Sequence, residues 1–217
     1  MSKKRLWALP VLLLLTVLLL TGCGKEAPFQ VPEHIVICLD AGHGGDDPGA
    51  VLEDRQEKDD NLAVVLAVKA ALEAAGHQNL EVILTRPDDT GLDLESRTDF
   101  ANKNNATLFV SVHRNSGGGQ GVETWVSAEK HRFEAQLAKY IHKNLIAAGV
   151  SKDRGVKSGT ASNPYASYYV VGNTKMPACL IELGFIDSET DNTLLDEHLQ
   201  DYAQAIAHGI LQMVKLK

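Results

Sequence analysis

Apolar residues recur along this chain in two alternating rhythms. Short apolar runs at 34–39, 80–84, 107–112, 121–126, 168–171 and 178–181 read as β-strands. Between several of them the spacing turns helical. Glu57 opens one helix, with Leu62, Val65, Leu66 and Leu72 on a common face and Gly76 as its stop. Residues 92–102 read as a second helix. Phe133, Leu137, Tyr140 and Ile141 mark one face of a third that ends near Gly149, and Leu199, Tyr202, Ile206, Ile210 and Met213 form the stripe of a last one. Strands alternating with helices predict an α/β domain built on a largely parallel sheet.

The N-terminus departs from this pattern. Lys3, Lys4 and Arg5 precede an almost unbroken apolar run at 12–20, followed by small residues and Cys23. The run is too short and wrongly flanked for a transmembrane helix and reads as an export signal. Leu20-Thr21-Gly22-Cys23 resembles the bacterial lipobox. That resemblance implies cleavage before Cys23 and acyl chains that anchor the protein at the outer face of the cytoplasmic membrane. The expected organisation is a lipoprotein signal peptide at 1–22, the lipidated Cys23 with a short tether at 23–33, and one catalytic domain at 34–217.

Charge and cysteine content narrow the partners. The chain carries a net charge of −7, and removal of a leader with three basic and no acidic residues leaves −10. Nucleic-acid binding leaves a basic footprint, so it is excluded. Membrane residence would come from the lipid rather than from charge. Beyond Cys23, Cys38 and Cys179 sit inside apolar runs and read as free buried thiols packing as small hydrophobes. Neither has a second cysteine at metal-ligand spacing.

The candidate chemistry lies in four residues at or near strand ends: His43 in Asp40-Ala41-Gly42-His43-Gly44-Gly45, Glu57, His113 in Ser111-Val112-His113, and Glu182 in Ile181-Glu182-Leu183-Gly184-Phe185. In an α/β sheet such ends collect on one edge, where ligands bind. Two imidazoles and one carboxylate form a ligand set for hydrolytic zinc with one position open, and a further carboxylate can move protons. The other histidines read as solvated or capping residues: His131 and His142 on the polar side of the third helix, His208 opposite the last apolar stripe, and His34, His77 and His198 without a partner pattern. Asp40 either orients His43 or hydrogen-bonds the loop backbone. Glu123 is either an outer-shell group or a plain exposed strand residue. Glu53, Asp54, Asp59 and Asp60 read as a solvated cluster at a helix start, and Arg86 and Arg97 as structural ion-pair formers.

Taken in order, these motifs, with Asp47-Pro48-Gly49-Ala50, Thr85-Arg86, Arg97, Ala101-Asn102, His113-Arg114-Asn115, Gly121-Val122-Glu123-Thr124, Asp153-Arg154-Gly155-Val156-Lys157 and Pro177-Ala178, resemble the zinc-dependent N-acetylmuramoyl-L-alanine amidases of the amidase-3 type. The resemblance spans nearly all of residues 34–216. It implies a twisted, mostly parallel six-stranded sheet flanked by helices on both faces. It also implies peptidoglycan as substrate, cleaved at the amide between the lactyl group of N-acetylmuramic acid and L-alanine; a monomer is expected. Carried over by position, His43, Glu57 and His113 match the zinc ligands and Glu182 the catalytic glutamate. Arg114 stands where the family usually has alanine. It is a candidate for binding a substrate carboxylate, with Asn115 beside it, or else points to solvent. Tyr165, Tyr168 and Tyr169 either flank the groove or pack, with packing expected of Tyr169. Two other functions stay open on the residues alone: another zinc peptidase or carboxypeptidase acting on wall peptides, and a non-catalytic metal-binding lipoprotein.

Overall fold

The computed structural model describes residues 27–216 apart from 130, 131, 150 and 165. The signal peptide, Cys23 and His131 lie outside the described residues. In chain order the elements are β1 (Ile35–Ala41), β2 (Val51–Leu52), β3 (Arg55–Gln56), α1 (Glu57–Ala74), β4 (Leu80–Leu84), α2 (Leu94–Lys103) and β5 (Leu108–Asn115). They continue with β6 (Val122–Val126), α3 (Arg132–Ala147), β7 (Asp153–Ser158), α4 (Tyr169–Gly172), β8 (Ala178–Phe185) and α5 (Glu189–Met213). Six strands form one sheet in the order β4-β1-β5-β8-β6-β7, and β2 and β3 pair in a small hairpin. All neighbours in the large sheet run parallel except β6 and β8.

β1 and β8 are buried along their whole length, as expected for strands covered on both faces, and this is why they read as continuous apolar runs. Strand alternation sorts their side chains into two cores. Ile35, Ile37, Leu39, Val110, Val112 and Ile181 face α1, α3 and α5. Val36, Cys38, Phe109, Trp125 and Leu180 face the thinner layer of α2 and α4. Cys38 and Cys179 are buried and free, and they belong to opposite faces of the sheet. No helix among the described residues is long and apolar enough to cross a membrane.

Four sequence expectations need correction. The run at 168–171 is not a strand; its core is the short helix α4. Both edges of β8 are taken by β5 and β6, so Val170 and Val171 bury themselves on the sheet face instead. The edge strand β7, largely polar and interrupted by Gly155 at φ 86°, carries no apolar run and was not expected as a strand. β5 and β8 run on past 112 and 181, so that His113 and Glu182 lie within strands rather than after them. Finally, the expected tether is docked along part of its length: Phe29 meets Phe133 edge-on at 5.2 Å, and Val31 packs on the main core.

Candidate metal centre

The loop after β1 is held from beneath by buried charge. Asp40, fully buried, accepts hydrogen bonds from Arg97 at 2.8 Å, Thr85 at 2.6 Å and Ser111 at 2.7 Å. Burial alone would raise its pKa, but Arg97 and the two hydroxyls hold it below the ordinary carboxylate value. Arg97 also donates to the carbonyls of Ala41 and His43, both at 2.7 Å. Arg86 donates to those of Ala41 at 2.8 Å and Gly42 at 3.0 Å. Asp40 thus touches neither His43 nor the loop backbone; it fixes the arginine that does. Both arginines are structural, as expected, although Arg86 works through carbonyls rather than ion pairs.

Three side chains converge above this base. His113 Nδ1 lies 2.9 Å from Glu57 Oε1, and His43 Nε2 lies 3.2 Å from the same oxygen. One ligand atom from each of His43, Glu57 and His113 can be chosen so that all lie within 4.8 Å of one another. Two glycines make the approach possible. A Cβ on Gly42 would sit 2.1 Å from the His113 ring, and one on Gly49, at φ 66°, would sit 2.6 Å from Glu57 Oε2. Glu57 is the first residue of α1 and is 4% exposed. Its carboxylate also accepts from the backbone N–H groups of Ala50 and Arg114. Asp47, to which the sequence reading gave no role beyond the Asp47-Pro48-Gly49-Ala50 motif, lies 2.7 Å from His43 Nδ1 and turns Nε2 toward Glu57. Its signal was the four-residue spacing from His43 within a Gly-rich loop.

The electrostatics call for a cation here. Burial disfavours charge on His43, yet Glu57 and Asp47 raise its pKa to about 9. Burial likewise disfavours charge on Glu57, yet the two imidazoles hold its carboxyl far below the usual range. A buried carboxylate between two imidazoles, with a second carboxylate behind one of them, is a donor set that fits Zn²⁺ with an open position.

Glu182 enters from the neighbouring strand. It pairs in register with His113 across β5 and β8, and with Glu123 across β8 and β6. Registered neighbours present side chains to the same face, so His113, Glu182 and Glu123 form a row. Glu182 is 9% exposed, and its Oε2 has no hydrogen-bond partner among the described residues. Burial, reinforced by the charges of Glu57 and Glu123 and opposed by the histidines, pushes its pKa up to about 7. Glu123 is buried rather than exposed, and it accepts from Lys157, Arg154 and the indole of Trp125. Burial raises its pKa, but the two cations outweigh that and hold it low.

Beside the histidines opens a cavity of about 330 Å³, walled by Leu92, Leu94, Tyr168, Tyr169, Val170 and Leu180. Tyr168 packs edge-on to Trp125 at 5.6 Å, whereas Tyr169, expected to pack, is 41% exposed at the rim. Tyr165 lies outside the described residues. Arg114 fits neither expectation. Its side chain is fully buried on the opposite face, bonded to Asp60, to Asn192 at 2.7 Å and to the Phe185 carbonyl at 3.2 Å. Next to His113 in a strand, it must point the other way. Asp60 is accordingly no solvated residue but the partner of Arg114 and Arg55. Asn115 stays near the site's edge, its side chain turned to the Ser116 N–H. His142 is buried, not solvated, and joins Thr124 at 3.0 Å to Asp153 at 2.9 Å.

Residues 37–212 match the amidase-3 family, described as N-acetylmuramoyl-L-alanine amidase. A sporulation-specific N-acetylmuramoyl-L-alanine amidase of Bacillus subtilis (strain 168) is 35% identical over 185 residues, 84% of this chain and 69% of that one. The N-acetylmuramoyl-L-alanine amidase CwlM of Bacillus licheniformis is 33% identical, covering 84% of this chain and 70% of its own length. Among solved structures, the catalytic domain of CwlV, an N-acetylmuramoyl-L-alanine amidase from Bacillus (Paenibacillus) polymyxa var. colistinus, superposes with a TM-score of 0.75 at 37% identity. That likeness covers 84% of this chain and 99% of the other.

Proposed function

Because the chain belongs to the amidase-3 family of N-acetylmuramoyl-L-alanine amidases, we propose that it is a zinc-dependent, membrane-anchored member that cuts the lactyl–L-alanine amide of peptidoglycan. The observation that carries this reading is the meeting of His43, Glu57 and His113 beside a buried carboxyl, Glu182, with an unpartnered oxygen. The three would hold the ion. When bound, zinc supplies a Lewis acid for the scissile carbonyl and makes water acidic enough to attack near neutral pH.

The remaining work falls to the chain. Glu182, whose carboxyl burial lifts to about 7 in the metal-free fold, takes a proton from the attacking water and returns it to the leaving alanine nitrogen. Asp47 and the Ala50 and Arg114 N–H groups keep His43 and Glu57 oriented. Digestion of purified peptidoglycan with mass analysis tests the reaction: new L-alanine amino termini and intact muramic lactyl carboxylates are expected. Peptide-bond products with muramoyl-alanine left intact would instead indicate another wall peptidase.

Its place in the cell follows from Leu20-Thr21-Gly22-Cys23. The signal directs export, Cys23 carries the lipid, and the monomeric domain works on wall peptidoglycan from the outer face of the cytoplasmic membrane. Wild-type protein should partition with membranes and Cys23→Ser should not; unlipidated, freely secreted wild type would refute the anchor.

A further inference from the structure

The row of side chains that starts at His113 and Glu182 continues beyond Glu123. Lys157 on β7 registers with Trp125 and so shares its face of the sheet. Arg154, on the same strand, donates from Nε to Glu123 Oε1 at 2.5 Å, and Lys157 donates from Nζ to the same oxygen at 2.8 Å. Two cations therefore share a single oxygen of one carboxylate. Among the described residues, neither has a second carboxylate or carbonyl partner. Their only other neighbours of note are ring faces: Phe185 at 4.9 Å from the guanidinium and Trp125 at 5.2 Å from the ammonium.

Neutralising Glu123 needs one cation, and here there are two, each about one-third exposed at 32% and 35%. Among the described residues, the terminal guanidinium nitrogens and two of the ammonium hydrogens have no hydrogen-bond partner. This surplus of positive charge lies at the rim of the site in a chain of net charge −7. The opposite flank, with Leu92, Leu94, Tyr169 and Val170 beside Asp93, is mostly apolar and aromatic.

We propose that Arg154 and Lys157 form an anion subsite that recognises a carboxylate on the peptide side of the scissile amide. The inference rests on the amidase reading and says how the substrate lies. The muramoyl side bears no charge once its lactyl group is amidated, so it suits the apolar flank. The stem peptide bears free carboxylates and suits the cationic one. The spacing selects which. The two cationic heads meet on Glu123 of β6, two strand steps from β5, about 10 Å. An extended peptide advances about 3.3–3.6 Å per residue. The recognised carboxylate therefore belongs to the second or third residue after the cut.

The test uses the mature zinc-loaded protein and four synthetic N-acetylmuramoyl tripeptides, with the carboxylates of residues two and three free, singly amidated or doubly amidated. Losing one charge-assisted contact should lower kcat/KM about tenfold, mainly through KM, for amidation at one of the two positions. In Arg154→Met and Lys157→Met that ratio should shrink toward one. Each variant leaves Glu123 one cation, which preserves its pairing. Equal kcat/KM for all four substrates in the wild type overturns the subsite. Failure to cleave any of them overturns the amidase reading instead. Calorimetry with the sugar-free tripeptides then decides the subsite separately: tighter binding of the free-carboxylate peptide supports it, and equal affinity for free and amidated peptide refutes it.

Discussion

The two flanks of the site are built on opposite plans. On the β1 flank, buried charge is answered by buried charge or carbonyl: Asp40 by Arg97, and the loop carbonyls of Ala41, Gly42 and His43 by two arginines. On the β8–β6–β7 flank the groups are left under-satisfied. Among the described residues, Glu182 has an oxygen without a partner, and Arg154 and Lys157 outnumber the carboxylate between them. A ligand that must stay in place needs closed surroundings. A group that must meet a passing proton or a substrate charge needs unused capacity. The contrast separates the part of the site that holds from the part that reacts.

The largest effect is expected on the holding side. His113→Ala removes one of three ligands, and stoichiometric zinc and detectable hydrolysis should both disappear. Elemental analysis showing full zinc in that variant would overturn the ligand set. Next comes Glu182→Gln, which should keep zinc and fold while losing about 10²- to 10⁴-fold in rate. Loss of zinc in that variant would move Glu182 to the holding side and erase the contrast.

Glu182 also sets a pH signature. Its carboxyl, raised from 4.5 to about 7 in the metal-free fold, must be ionised to accept a proton, so wild-type rate should rise with pH as Glu182 ionises, with a midpoint that the charge of bound zinc draws below that value. In the metal-free protein the linkage runs the other way. The folded state binds this proton more tightly than the unfolded state, so stability from this group is intact below about 4.5 and falls as pH rises to about 7. The loss amounts to about 3 kcal/mol, and denaturant titrations of Glu182→Gln should lack this slope.

Arg97→Ala probes the base of the holding side. It strands Asp40 in the core, and breaking such a pair typically costs about 3–5 kcal/mol. Chemical denaturation showing less than about 1 kcal/mol would mean that the Thr85 and Ser111 hydroxyls suffice. Smallest is Asp47→Asn, at an exposed position behind His43. Zinc affinity should fall about tenfold by competition with a chelator; an unchanged affinity would leave His43 oriented by its backbone alone.

Much of this was legible in local pattern. The strands at 34–39 and 80–84, the opening of α1 at Glu57 and the final amphipathic helix follow from periodicity. Arg114 is instructive because the same periodicity already contradicted its expected role. Alternation places it opposite His113, where Asp60 and Asn192 await it. Tyr168–Val171 shows where pattern fails. Its residues are as apolar as a strand's, but a strand needs a free edge, and edges are assigned by the whole sheet.

The sequence by itself determined the residue types of the site, the two-fold rhythm that turns Arg114 away from the face of His113, and the glycines that let ligands approach, because these depend on neighbours along the chain. Only the tertiary structure decided that β6 runs antiparallel to β8 and brings Glu123 beside Glu182. Only it placed β7 at the edge so that Arg154 and Lys157 meet on one oxygen, and only it buried Glu182 deeply enough to raise its pKa to about 7. Those outcomes turn on strand order and desolvation, which belong to the packed chain as a whole.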